Sequence, residues 1–202
     1  MPTLPESEIA SLLAPYLADP APKSLMPRLS NYLDLLLKWN ARTNLTAIRD
    51  PEEIVRRHFG ESLFAGQNLG TPAPATLLDL GSGAGFPGLP IALLHPETHV
   101  TLAESQNKKA TFLREVVRTL SLPNVEVWSA RAETLPASRQ FHTVTLRAVD
   151  NMEAALPAAR LRIVPAGQLV LLTTAQHVPT GGSSIPLPNS EAGVLYLETV
   201  PG

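Results

Sequence analysis

The run Leu78-Asp79-Leu80-Gly81-Ser82-Gly83-Ala84-Gly85-Phe86-Pro87-Gly88 constrains this chain more than any other segment. An apolar stretch, Thr76 to Leu80, reads as a buried strand that breaks into a glycine-rich turn, followed by a helix opened by Pro87. Glycine at 81, 83 and 85 permits positive φ and strips the turn of Cβ atoms, so a ligand is able to lie against bare backbone. Asp79 sets a carboxylate at the carboxyl end of that strand, where open α/β sheets bind their ligands. The combination points to a nucleotide-like ligand.

Three readings of the loop are open at this point. Shifted by two residues, Gly83-Ala84-Gly85-Phe86-Pro87-Gly88 is a G-x-G-x-x-G dinucleotide fingerprint, with Glu104 downstream as the acid that follows it. A pyrophosphate needs a free helix N-terminus and gains nothing from a neighbouring acid. In the second reading, Asp79 and the Gly81-to-Gly85 turn cradle the aminoacyl end of S-adenosylmethionine, whose ammonium suits a carboxylate. The third is a tight strand-to-helix turn with no ligand.

With 202 residues, 44% of them hydrophobic, the chain is long enough for one substantial core. The expected organisation is a helical extension over residues 1–70 and an α/β domain over residues 71–202. Cysteine is absent, which removes disulfides and thiolate metal sites and fits an intracellular, cytoplasmic setting. No apolar run approaches the ~20 residues of a membrane span, and the N-terminus lacks a signal-peptide layout. The five histidines are scattered without ligand spacing, so no metal is expected. A net charge of −2 argues against a non-specific nucleic-acid coat. All sixteen lysines and arginines lie between Lys23 and Arg162, so any RNA-facing surface comes from the earlier part of the chain.

Glu6 to Ala18 reads as a short helix interrupted by Pro15, and a Pro-rich joint (Pro20 to Pro22) leads into a stronger helix from Lys23 to Asn40. Asp50-Pro51-Glu52-Glu53 is a helix start, with an Asp cap, Pro at the first position and acids at the positive dipole end. That helix runs to about Ala65, and Gly66 to Pro74 is a joint. Strands then alternate with helices: Thr76–Leu80, Val100–Ala103, Val125–Trp128, Thr143–Arg147 and Gln168–Leu172 against Pro87–Leu94, Gln106–Leu120, a turn near Glu133, and Asn151–Ile163. This rhythm predicts a mostly parallel sheet covered on both faces. The end, Gly181 to Ser184 and then Val194 to Val200, predicts an antiparallel strand pair.

Each strand end offers one chemical group. Glu104, followed by Ser105 and Gln106, is placed either to accept both hydroxyl protons of a ribose or to cap the next helix. Ser129-Ala130-Arg131-Ala132-Glu133 offers amides and an acid to an adenine edge, or is a surface turn. Arg147 faces the crevice of a transferred group, or pairs with an acid such as Asp79. Earlier, Trp39 and His58 read as structural, and Asn40, Asn44 and Thr46 as organisers of a helix–helix turn.

Together, Lys38-Trp39-Asn40…Asn44-Leu45-Thr46, Arg49-Asp50-Pro51, Arg57-His58…Ser62-Leu63, Asp79 to Gly88, Ser129 to Glu133 and Arg147-Ala148 carry a resemblance. From about Tyr32 to Asn151 the chain is similar to the bacterial small-subunit rRNA guanine-N7 methyltransferases, the RsmG or GidB family. The resemblance implies a Rossmann-like class I S-adenosylmethionine-dependent methyltransferase fold with an N-terminal helical extension. It implies a cofactor site at Gly81, Phe86, Glu104, Ser105, Gln106, Ala132, Glu133 and Arg147, beside Asp79, Gly83 and Gly85 from the loop itself. The implied substrate is a 16S rRNA guanine near the decoding region, in the 30S particle or an assembly intermediate. Arg147 is then expected to position the reactants, and Lys38, Arg42, Arg49, Arg56 and Arg57 to contact phosphates. The family usually has Asp where this chain has Glu61, and a Lys-Gly where Leu172-Thr173-Thr174-Ala175-Gln176 stands. A cofactor-binding protein with weak or lost rRNA activity is the alternative, and an NAD-dependent oxidoreductase a more distant one.

Overall fold

The computed structural model describes residues 2–18, 21–148 and 151–202. One sheet of seven strands organises the chain: β1 (Thr76–Leu80), β2 (His99–Ala103), β3 (Val125–Trp128), β4 (Phe141–Arg147), β5 (Ile163–Thr174), β6 (Ser183–Pro186) and β7 (Gly193–Thr199), in the order β3-β2-β1-β4-β5-β7-β6. The first five are parallel, and β7 runs antiparallel between β5 and β6. Successive side chains of each strand go to opposite faces. Leu77, Val100, Leu102, Val170, Leu172 and Leu195 join one apolar cluster, and Leu78, Ala103, Leu169, Leu171 and Tyr196 join the other. The central strands are buried on both faces, and apolar residues of each strand therefore serve both clusters, while β3 and β6 at the edges are more exposed.

The first face is covered by α1 (Glu6–Leu13), α2 (Leu25–Thr43), α4 (Glu61–Gln67), α5 (Gly88–Leu94) and α6 (Asn107–Thr119). In α2, Leu25, Leu29, Tyr32, Leu33 and Leu36 recur at helical spacing and are all fully buried. The second face is covered by α7 (Met152–Arg160), through Ala155 and Ala159, and by the turn around Ala132 and Leu135. Between α2 and α4, the short α3 (Pro51–Glu53) opens as the sequence predicts, its Asp50 carboxylate accepting the Glu53 amide at 2.8 Å. It then passes through a π-wound segment, Ile54–Gly60, into α4.

Several boundaries differ from the sequence expectation, among them α2, which spans Leu25–Thr43 rather than Lys23–Asn40, and β4, which begins at Phe141. The helix after the glycine loop starts at Gly88, with Pro87 in the cap position. The helix expected over Asn151–Ile163 ends at Arg160, and Ile163 already belongs to β5. That strand spans twelve residues rather than Gln168–Leu172, because the register shifts between the pairs Phe141↔Ile163 and Thr143↔Gln168. The shift absorbs Pro165-Ala166-Gly167, which reads as a break, and sets Ala166 at φ +60°. The N-terminal helix ends at Leu13 and continues only as a 3₁₀ turn, Ala14–Tyr16. The Pro-rich joint at 20–22 lies partly outside the described residues.

Candidate functional site

Strand order reverses at β1, with β2 on one side and β4 on the other, and a crevice opens at their carboxyl ends. A cavity of about 520 Å³ sits there, walled by Gly81–Ala84, by Glu104–Gln106, by Thr46 and Ile48 from the α2–α3 loop, and by His58 and Arg147. Gly81, Gly83 and Gly85 all have positive φ (+73°, +58° and +93°). They are not equivalent. A Cβ on Gly83 would meet only the Gly81 carbonyl at 3.8 Å, so that position faces open space. A Cβ on Gly85 would lie 2.3 Å from Leu89 and 2.6 Å from the Tyr32 hydroxyl, which itself donates to the Ala84 carbonyl. Gly85 therefore serves packing and Gly83 serves the crevice.

Asp79 stands behind the loop. It is buried, accepting the Gly88 amide at 3.1 Å and the Thr145 hydroxyl at 2.9 Å, and it does not line the cavity. Burial pushes its carboxyl up to about 6, against the pull of those hydrogen bonds. Its carboxylate thus ties the loop and α5 to β4.

Glu104 does line the cavity. One oxygen accepts the Gly83 amide at 2.9 Å and the other the Gln106 amide just ahead of α6 at 2.7 Å, so the residue ties β2 to the glycine loop and to the start of α6. Each oxygen keeps a lone-pair direction for a further donor. Ser105 and Gln106 are exposed beside it. Ala132 and Glu133 form a 3₁₀ turn; Ala132 is buried against the second cluster and Glu133 is exposed, and neither lines this cavity.

Arg147 does not pair with Asp79. Its Nη2 donates to Glu61 Oε2 at 2.7 Å and to the Arg57 carbonyl at 3.0 Å, with side-chain exposures of only 12% for Arg147 and 9% for Glu61. Burial raises the Glu61 carboxyl, while Arg147 and Arg57 pull it back. Beyond this pair a second cavity of about 550 Å³, reached by Met152, Leu172, Thr173, His177 and Leu187, shares Arg57, Arg147 and Ala148 with the first. Arg147 is the partition between them.

His58, expected to be a structural residue, is part of the crevice wall. Its ring stacks on Phe86 with centroids 4.8 Å apart and 22° between planes, and its Nε2 is 2.7 Å from the Thr46 hydroxyl. Burial, then Arg147 and Arg57, push its pKa down to about 3. Among the described residues three buried side-chain polar atoms lack a partner, and two of them are His58 Nδ1 and Arg147 Nη1. Nothing in the local pattern marks His58, because its partner Thr46 comes from another segment.

The five cations expected on the N-terminal helices fall into two groups. Lys38 and Arg42 are exposed one turn apart on α2. Arg49 instead staples the α2–α3 loop, donating to the Asn40 carbonyl at 2.8 Å and to Asn44 Oδ1 at 2.7 Å. Asn40 and Thr46 exchange hydrogen bonds at 3.0 Å in the same loop, and Asn44 takes the left-handed cap at φ +47°. Arg56 pairs with Glu52 at 2.6 Å, and Arg57 lies 3.9 Å from Glu53 and 3.6 Å from Glu61. Trp39 packs on Phe112 and donates to Glu115 at 3.0 Å. No helix among the described residues is long and apolar enough to cross a membrane.

This sheet order, with its crevice beside β1 and antiparallel β7, is the class I methyltransferase fold. Precorrin-6y C5,15-methyltransferase from Geobacter metallireducens superposes with a TM-score of 0.55 at 15% identity, over 70% of this chain and 87% of that one. The chain belongs to the GidB family, rRNA small subunit methyltransferase G, whose family model matches residues 25–178. The ribosomal RNA small subunit methyltransferase G of Roseiflexus castenholzii is 49% identical over 140 residues, 65% of this chain and 59% of that protein. Its counterpart in Chloroflexus aggregans is 40% identical over 188 residues, 83% of this chain and 79% of that protein. The match thus spans about three-fifths of the Roseiflexus relative's length (59%) and more of the Chloroflexus one.

Proposed function

We propose that the chain is a cytoplasmic enzyme that transfers the methyl group of S-adenosylmethionine to N7 of a guanine in 16S rRNA, within the 30S particle or an assembly intermediate. The observation that carries this reading is the bare Gly81–Ala84 wall closed by Glu104 at the strand-order reversal. The residues fit the cofactor. Gly83 leaves room where a Cβ would otherwise stand, Glu104 has acceptor capacity for a ribose diol, and buried polar atoms of His58 and Arg147 await partners. Ser105 and Gln106 extend that wall, and the Ala132–Glu133 turn, which follows β3 outside the cavity lining, is assigned to the adenine end by the family resemblance alone. Phe86 supports His58, while Asp79 and Gly85 hold the loop in shape. Bound there, the cofactor supplies a methyl sulfonium.

Guanine N7 carries a free lone pair in the neutral base, so methylation at that atom removes no proton. The chain's residues then orient and exclude water rather than act as a base. Arg147, fixed by Glu61 between the two cavities, positions the reactants. N7 lies on the major-groove edge, which A-form RNA hides, so the target sits in an opened region of RNA. Residues 1–70 act as a helical extension on the catalytic domain of residues 71–202, and Lys38, Arg42 and Arg57 contact phosphates, with Arg49 and Arg56 as supporting cations. Transfer of tritiated methyl groups tests the reading. Undermodified 30S particles are expected to be labelled at a guanine N7, and equal labelling of free 23S rRNA, or none of any substrate, overturns it.

A further inference from the structure

We infer that His58 is a second binding residue of the site: its Nδ1–H, together with Arg147 Nη1, receives the carboxylate of the cofactor's aminoacyl end. This rests on the cofactor reading above and goes beyond it by assigning the helical extension a direct ligand contact.

The contact between His58 and Thr46 is compatible with a hydrogen on Nδ1. Thr46 Oγ1 already accepts the Ile48 amide at 3.2 Å, and the His58 Nε2 at 2.7 Å is the acceptor within reach of its own hydroxyl proton. With that proton given to Nε2, the neutral ring carries its hydrogen on Nδ1, and this is the tautomer the proposed contact requires. That atom is buried without a partner among the described residues, as is Arg147 Nη1, a guanidinium nitrogen and so always a donor. Two orphaned donors in the walls of one crevice are costly unless a ligand brings acceptors.

The ligand's own groups select among themselves. A ribose diol and an adenine amino edge both bring donors, and Glu104 is the acid beside them, at the end of β2. A carboxylate brings only acceptors and has two oxygens, one for each orphan. Position agrees with chemistry. With the diol at the end of β2, a ligand crossing the glycine loop after β1 delivers its far end to the end of β4, where Arg147 and His58 stand. Stacking on Phe86 and the bond to Thr46 hold the ring in place. Burial and the neighbouring cations keep it neutral across the physiological range, so the donor does not titrate.

The test compares two ligands by calorimetry on the full chain: S-adenosylhomocysteine, and 5′-methylthioadenosine, which has the nucleoside and thioether but no aminoacyl group. Asn at position 58 places its amide where Nδ1 stands, and Gln places its amide where Nε2 stands. His58→Gln is expected to weaken S-adenosylhomocysteine binding about tenfold and to leave methylthioadenosine unchanged. His58→Asn is expected to retain most of the affinity for both. A purely structural role through Thr46 gives the reverse order, with Gln tolerated and Asn not, and that result overturns the inference. So does a loss shared equally by both ligands. If the unsubstituted protein binds neither ligand, the cofactor reading itself falls; if it binds both and His58→Gln changes neither, only the role of His58 falls.

Discussion

Glu61 and Arg147 form the most heavily buried ion pair among the described residues, and such pairs are costly to break rather than profitable to make. Arg147→Ala leaves the Glu61 carboxylate without its main counter-charge, and we expect urea unfolding to report a loss of about 3 kcal/mol. The double variant Glu61→Leu/Arg147→Met removes both charges and is expected to lie within about 1 kcal/mol of the natural protein. Methyl transfer to 30S particles should be lost in both proteins, which separates positioning from stability. Asp79 gives a pH signature. Its folded pKa, about 6, lies above its unfolded value, so its contribution to stability is fully present below the unfolded pKa and is lost as pH rises through the folded one. Asp79→Asn has no such titration. The stability difference between the natural protein and Asp79→Asn should therefore shift by up to about 3 kcal/mol in the variant's favour between pH 4 and pH 7. Urea titrations of both proteins at those two pH values check it, and a constant difference rules it out.

Among the elements, the glycine loop separates two kinds of constraint. Gly85→Ala drives a methyl into Leu89 and Tyr32 at φ +93°, so a thermal melt should show a loss of about 3 kcal/mol or more. Gly83→Ala meets open space and carries only the strain of φ +58°, about 1 kcal/mol. It should fold with a small drop in Tm and still lose S-adenosylhomocysteine binding in calorimetry, because the added methyl stands in the crevice. Strands β1 to β4 and β7 were legible because they are short, carry apolar residues toward the core and are separated by turn residues, whereas β6 is exposed and polar and was marked only by the Gly-Gly-Ser-Ser run at its start. The start of β5 was not, since Pro165-Ala166-Gly167 reads as a break until the register shift against β4 is known. The same distinction runs through the site. Glu104 and the loop are contiguous with their strands and were readable. Glu61 and Thr46 acquire their partners, Arg147 and His58, only through the tertiary fold, and the π-wound segment that carries His58 has no composition distinct from an α-helix.

At the level of the whole molecule, charge is distributed along the chain: every Lys and Arg precedes residue 163. Strands β5 to β7 and the loops between them thus bring no lysine or arginine to the second cavity. The structure divides the five cations expected to contact phosphates by what they already do. Arg49 is committed to the Asn40–Asn44 loop and Arg56 to Glu52. Lys38 and Arg42 have no salt-bridge partner among the described residues and lie on one exposed face of α2. Each phosphate contact contributes roughly 0.7 to 0.9 to the log–log salt slope of binding. The double variant Lys38→Gln/Arg42→Gln should therefore flatten the salt dependence of 30S binding by about 1.5, leaving unfolding by urea nearly unchanged. Arg49→Gln should do the opposite, lowering stability by about 1 kcal/mol through its lost loop hydrogen bonds while changing the slope little. If both variants flatten the slope equally, Arg49 reaches RNA despite its loop contacts. If neither does, the helical extension does not face the RNA, and the particle's proteins must supply the docking surface instead.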